Sequence, residues 1–87
     1  MAFYNLRFTK SAEWELRTIS PPDLRRVTQR IHALGEIPRP SGAQLLRGEG
    51  RYWRVRQGDY RIVYEIDDTA RAVCIVKVGH RREVYRK

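Results

Sequence analysis

The stretch RYWRVRQGDYRIVYEI, residues 51–66, gives the clearest prediction about the fold. Two segments in which side chains alternate in character, Arg51–Arg56 and Tyr60–Ile66, flank the glycine-centred turn Gln57–Asp59. Alternation with a period of two and a short turn containing glycine are typical of a β-hairpin. The stretch therefore predicts two antiparallel strands with one apolar and one basic face.

Flanking segments extend this hairpin into a sheet. Residues 67–72, DDTARA, form a second turn, and Val73–Val78, VCIVKV, is the next strand. Near the N-terminus, Ala2–Phe8 also alternates and reads as a strand, while Arg39–Gly50 carries turn residues at both ends and reads as a loop.

Two helices are predicted between the first strand and this loop. Thr9 caps a short helix over Lys10–Thr18, and Ser20 caps a second helix with Pro21 at its first position and Gly35 at its end. The apolar residues at helical spacing are Ala12, Leu16 and Ile19 in the first helix and Leu24, Val27, Ile31 and Leu34 in the second.

The resulting order, β-α-α-β-β-β, predicts one α+β domain over residues 1–87. We expect a four-stranded antiparallel sheet with a helical hairpin packed on its more apolar face, which leaves the other face open.

Composition indicates a polyanionic partner. The net charge is +8 with a pI of about 10.4, and arginine supplies 15 of the 18 basic residues. Arginine suits phosphate because its planar fork of donors binds two oxygens at once, although an arginine-rich proteome explains the composition equally well. Cys74 is the single cysteine, reads as a core residue, and excludes an internal disulfide or a thiolate zinc site. Without an apolar N-terminal stretch we expect no membrane span and a cytoplasmic protein.

The position of the basic residues favours the nucleic-acid interpretation. Strand alternation places Arg54, Arg56, Arg61 and Lys77 on the open face. The plain alternative is a solvated sheet face, but solvation does not select one sign of charge.

Residues after the last strand add proton-transfer groups. Cleavage of RNA by its own 2′-OH needs a base, cations for the phosphorane and an acid for the leaving oxygen, but no metal or cofactor. His80 and Tyr85 are both candidates for the base, and Arg61 and Arg81 are candidates for stabilising the phosphorane. Tyr85, like Tyr52, is also suited to stacking on an unpaired base.

The chain resembles the RelE family of the RelE/ParE toxins. The resemblance rests on FTKSAEWEL, on QLLRGEGRYWRVRQGDYRIVYEID and on VKVGHRREVYRK. It implies a microbial-RNase-like fold and a toxin that cuts mRNA in the ribosomal A site. It also implies a cognate antitoxin that silences the toxin in a hetero-oligomer, which would contact operator DNA only through the antitoxin.

The resemblance also implies functional roles for individual residues. It places the family's RNA-binding basic residues on Arg54 and Arg56 and its catalytic residues on Arg61, Arg81 and Tyr85, with His80 where some members have lysine. Further RNA-binding candidates are Arg51, Tyr52, Lys77 and Arg82. A ParE-like gyrase inhibitor without nuclease activity is the alternative function, and a toxin remnant retained for antitoxin binding is a third.

Overall fold

The computed structural model describes residues 3–46 and 51–80. Along these residues the chain forms five strands and two helices. They are β1 (Asn5–Phe8), α1 (Lys10–Arg17), α2 (Pro21–Glu36), β2 (Gln44–Leu45), β3 (Tyr52–Gln57), β4 (Tyr60–Asp67) and β5 (Ala72–His80).

The strands form one mixed sheet in the order β1-β5-β4-β3-β2. The prediction of four antiparallel strands was wrong in two details, although the α+β class is confirmed. β1 runs parallel to β5, with Asn5 opposite Ala72, and β2 is an extra edge strand in the stretch read as a loop. Alternation within a strand carries no information about the direction of its neighbour, and a strand of two residues is too short to show it.

Local capping explains where the helices begin. The Thr9 hydroxyl accepts from the Ala12 amide at 3.1 Å, and Pro21 opens α2 with its ring in the first turn. Gly35 does not end α2, which runs one residue further. Instead, Gly35 permits a close approach, because a Cβ there would lie 3.1 Å from the backbone oxygen of Tyr4. Neither helix of the described residues is long and apolar enough to cross a membrane.

A single apolar core lies between the helices and one face of the sheet. Tyr64 is the largest of its fully buried side chains. The buried members of this core are Ala12, Ile19, Val27, Ile31, Leu34, Val55, Ile62, Tyr64, Val73, Ile75 and Val78. The opposite face of β3 and β4 is therefore the face that carries the basic side chains.

An irregularity in β5 changes which residues face the core. Val63 lies opposite Lys77 while Tyr64 lies opposite Ile75, so Val76 is an extra residue in β5. Strict alternation placed Cys74 in the core, and this was wrong. Cys74 is half-buried opposite Glu65 on the other face, because the core positions before the bulge are the odd-numbered ones.

Candidate functional site

Three arginines share the sheet face that is turned away from the helices. In the register of β3 and β4, Arg54 lies opposite Val63, and Arg56 lies directly opposite Arg61. Like charges that face each other across two strands repel. The register of β3 and β4 therefore concentrates positive charge on this face of the sheet.

Two of these arginines are buried, so the alternative of a simply solvated sheet face does not describe them. Arg54 is 8% exposed and Arg61 is 7% exposed, whereas Arg56 is exposed. Gln44 of β2 accepts a hydrogen bond from Arg54 through its side-chain oxygen. Burying a guanidinium is costly unless its surroundings compensate the charge. Arg54 and Arg61 are thus fixed parts of the sheet rather than mobile surface cations.

A cleft of about 320 Å³ opens beside Arg54 at the β2 edge of the sheet. Its described lining consists of Arg30 from α2, Gly42, Gln44, Arg54 and Arg56, none of them acidic. Sequence reasoning missed Arg30 and Gln44. Arg30 is one of several polar residues on an amphipathic helix, and β2, which positions Gln44, had no detectable strand pattern.

Two other predicted RNA-binding cations are engaged by carboxylates. Lys77 Nζ lies 2.9 Å from Oε2 of Glu15, whose other oxygen accepts from the Val78 amide at 2.8 Å. Arg51 Nε lies 3.4 Å from Oε2 of Glu65. Tyr52, the predicted stacking residue, is half-buried at the start of β3.

His80 lies on the helix-bearing side of the sheet. It pairs in register with Tyr60, and their rings meet edge to face with centroids 5.7 Å apart. The cleft next to these rings is also lined by Asp23 and Arg26 from the first turns of α2. Arg61 pairs instead with Gly79, which belongs to the opposite face. Alternation along β5 therefore places His80 and Arg61 on opposite faces, and the role of His80 as a candidate base stays a prediction.

The remaining predicted site residues, Arg81, Arg82 and Tyr85, lie outside the described residues. Their roles stay predictions. Within residues 3–46 and 51–80, no three side chains of the metal-ligating types come together in a way that could hold an ion.

The loop that leads to the cleft is anchored in the core. The Tyr64 hydroxyl donates to the Pro38 carbonyl at 2.7 Å, and burial raises the pKa of Tyr64 to about 12. At the surface, Asp68 accepts from Arg39 at 3.0 Å and from the Tyr4 hydroxyl at 2.6 Å, and these hydrogen bonds lower the pKa of its carboxyl. Both contacts fix the segment between α2 and β2.

The comparison of the sequence with protein families assigns the class. The family model described as the ParE toxin of the type II toxin-antitoxin system parDE matches residues 6–85. The chain belongs to the RelE/ParE superfamily of toxins of type II toxin-antitoxin systems. This confirms the resemblance drawn from the sequence motifs.

Individual relatives are toxins named RelE or RelG. Toxin RelG of Mycobacterium tuberculosis is 34% identical over 87 residues, which cover 97% of this chain and 98% of that protein. The toxin-antitoxin complex RelBE2 of the same organism contains a chain with a TM-score of 0.84 and 34% identity, covering 93% of this chain and 94% of that one.

Two further solved structures are also similar to this chain. The RelE-RelB complex of Pyrococcus horikoshii has a TM-score of 0.79 and 25% identity, covering 91% of this chain and 96% of that one. The isolated RelE toxin of E. coli has a TM-score of 0.78 and 25% identity, covering 88% and 83%. The RelE-type fold predicted from the sequence is therefore confirmed.

Proposed function

We propose that this toxin is a ribosome-dependent endoribonuclease that cuts mRNA in the A site. The 2′-OH of the substrate attacks the adjacent phosphate, and the 5′-oxygen of the next nucleotide leaves. The nucleophile is part of the RNA, so the protein has to supply proton transfer and positive charge, and no metal is required for the step.

The observation that supports this proposal is the buried pair Arg54 and Arg61 with Arg56 beside them. A phosphorane carries more negative charge than the phosphodiester, so cations fixed in advance favour the transition state over the ground state. A surface that only attracts RNA needs no buried arginine, because exposed side chains serve that purpose. We assign phosphorane stabilisation to Arg61 and contact with the flanking phosphates to Arg54 and Arg56.

We propose Tyr85 as the residue that takes the 2′-OH proton, with Arg81 assisting at the phosphorane. The reason for preferring it to His80, the other candidate, is that His80 pairs with Tyr60 on the face opposite Arg61. A tyrosine with an ordinary pKa near 10 is a weak base at neutral pH. Neighbouring arginines would lower that pKa, because they favour the phenolate.

A gyrase inhibitor is the second candidate, since the matching family model carries the ParE description. The feature that favours the nuclease is the set Arg54, Arg61, Arg81 and Tyr85, which RNA cleavage requires and gyrase binding does not.

We also propose a cognate antitoxin as partner, as in the relatives solved with RelB. A net charge of +8 favours an acidic segment of that antitoxin, and the complex would bind operator DNA through the antitoxin alone. Co-purification of the two chains as a hetero-oligomer that dissociates more readily at high salt is the expected result.

Primer extension on mRNA in translating ribosomes tests the activity. Wild type is compared with Arg61→Ala, Tyr85→Phe and the control Arg25→Ala, which removes an exposed charge from α2. We expect cuts at A-site codons that fall at least about tenfold with Arg61→Ala and Tyr85→Phe and persist with Arg25→Ala.

Purified gyrase is assayed in parallel with the same proteins. Absence of mRNA cuts together with inhibited DNA supercoiling would reject the nuclease and assign the chain to the gyrase-inhibiting branch. Cuts that persist in Arg61→Ala would keep the activity and reject this placement of the catalytic charge.

A further inference from the structure

We propose that Arg30 and Gln44 build a second phosphate subsite beside the cleavage site, which holds the backbone of a flanking nucleotide of the RNA substrate. This inference rests on the proposed nuclease function and deepens it. The subsite is the cleft at the β2 edge that also contains Arg54 and Arg56.

The residues that line the cleft favour binding of an anion. Three guanidinium groups and one amide come together from α2, β2 and β3, and no carboxylate is among the described residues that line it. The volume, about 320 Å³, is at the small end of the range for ligand pockets, roughly 300–1,000 Å³.

Arg30 lines the cleft next to Gly42, where a Cβ would be in van der Waals contact with the Arg30 Nη2 atom at 4.0 Å. The Nε of Arg30 is buried and has no hydrogen-bond partner among the described residues. A guanidinium that lines a cleft in this way can bind a phosphate through two parallel hydrogen bonds.

Gln44 connects this subsite to the cleavage site. Its side-chain oxygen accepts from Arg54, and Gln44 pairs with Arg54 in the β2–β3 register. The side-chain amide nitrogen of Gln44 carries two N–H donors, a type of group that suits phosphate or sugar oxygens. Arg54 and Arg56 line the subsite, and Arg56 lies opposite Arg61 in the β3–β4 register, so the subsite adjoins the proposed cleavage site.

The test measures binding without cleavage. A short single-stranded RNA with 2′-O-methyl groups cannot cut itself, and fluorescence anisotropy gives its dissociation constant over a series of salt concentrations. The proteins are wild type, Arg30→Gln, Arg30→Lys and the control Arg25→Gln, which lies on the same helix but is exposed. Circular dichroism checks that each variant is folded.

We expect Arg30→Gln to weaken binding roughly fivefold and to lower the slope of log K against log salt by about 0.7, the value for one phosphate contact on a single strand. Arg30→Lys should keep the slope, since the charge remains, while losing part of the affinity with the fork. The control should match wild type. In ribosomes, Arg30→Gln should raise KM and leave kcat unchanged.

Three outcomes would overturn the subsite: no binding of the RNA by wild type, an Arg30→Gln variant that matches the control in affinity and slope, or a loss confined to antitoxin binding. The last outcome would assign the cleft to an acidic protein segment. If wild type cuts no mRNA but RNA binding still depends on Arg30, the nuclease proposal fails while the subsite stands.

Discussion

Replacing Tyr64 with phenylalanine removes one hydroxyl from the centre of the core and leaves the ring in place. That hydroxyl donates to the Pro38 carbonyl at 2.7 Å, and the side chain is fully buried. Without it the carbonyl loses its partner, which costs about 1–2 kcal/mol at neutral pH. The expected result is a Tyr64→Phe protein that is less stable than wild type by that amount at pH 7.

The same hydroxyl also makes the free energy of unfolding of wild type fall at high pH, which reduces the advantage of wild type over Tyr64→Phe. Burial raises the pKa of Tyr64 from 10.0 to about 12 in the folded protein. The stabilisation is therefore complete below pH 10 and declines as the pH rises toward 12, because the unfolded chain ionises first. At pH 11 the loss is about 1.4 kcal/mol for wild type and none for the phenylalanine variant. The two proteins should thus converge in stability near pH 11.

Urea unfolding followed by tryptophan fluorescence measures both effects, with paired samples from pH 7 to pH 11. Ionisation of the other tyrosines and of lysine affects both proteins alike, so the difference between them isolates Tyr64. A stability difference that stays constant across this range would refute the reasoning, since it would mean that Tyr64 ionises equally in the folded and unfolded states.

The structure also predicts the effects of two substitutions on stability and the reactivity of one thiol. Gly35→Ala gains about 1 kcal/mol of helix propensity but places a Cβ 3.1 Å from the Tyr4 backbone oxygen, at a packing cost of about 1–3 kcal/mol; thermal unfolding should show a net loss. Glu15→Ala leaves the Val78 amide without its acceptor and should cost about 1–3 kcal/mol, whereas Glu15→Gln, which keeps an acceptor, should cost less in the same urea titration. Burial raises the pKa of the Cys74 thiol, so iodoacetamide should label it more slowly in the folded than in the urea-unfolded protein at pH 8, and equal rates would contradict that placement.

Patterns within single elements were enough to predict the hairpin and the helices. The two strands of residues 51–66 alternate over their whole length, and Gly58 adopts the positive φ of +61° that the turn requires. The start of α1 follows from capping by the Thr9 side chain. The start of α2 follows from proline in its first turn, since Ser20 stands at the predicted N-cap position but makes no side-chain capping hydrogen bond. These features depend on neighbours within a few residues, so the sequence contains the necessary information.

Features that depend on distant neighbours could not be predicted in this way. The parallel pairing of β1 with β5 is set by how the two helices return the chain across the sheet. The bulge at Val76 is held by the Thr9 hydroxyl, which donates to the Val76 carbonyl at 3.2 Å from the other end of the chain. The bulge moved Cys74 out of the predicted core. The sheet face that carries Arg54, Arg56 and Arg61 was predicted correctly. The burial of Arg54 and Arg61 was not predicted.

The short strand β2 explains how stability and the arginine site are linked. The chain leaves α2, passes the Pro38 carbonyl that Tyr64 holds, turns at Gly42 and places Gln44 beside Arg54. A weakened anchor at Tyr64 would therefore loosen the segment that positions Gln44, while the register of β3 and β4, which carries Arg54 and Arg61, would remain. We therefore expect Tyr64→Phe to reduce RNA affinity and to leave the slope of log K against log salt unchanged, because no charge is removed.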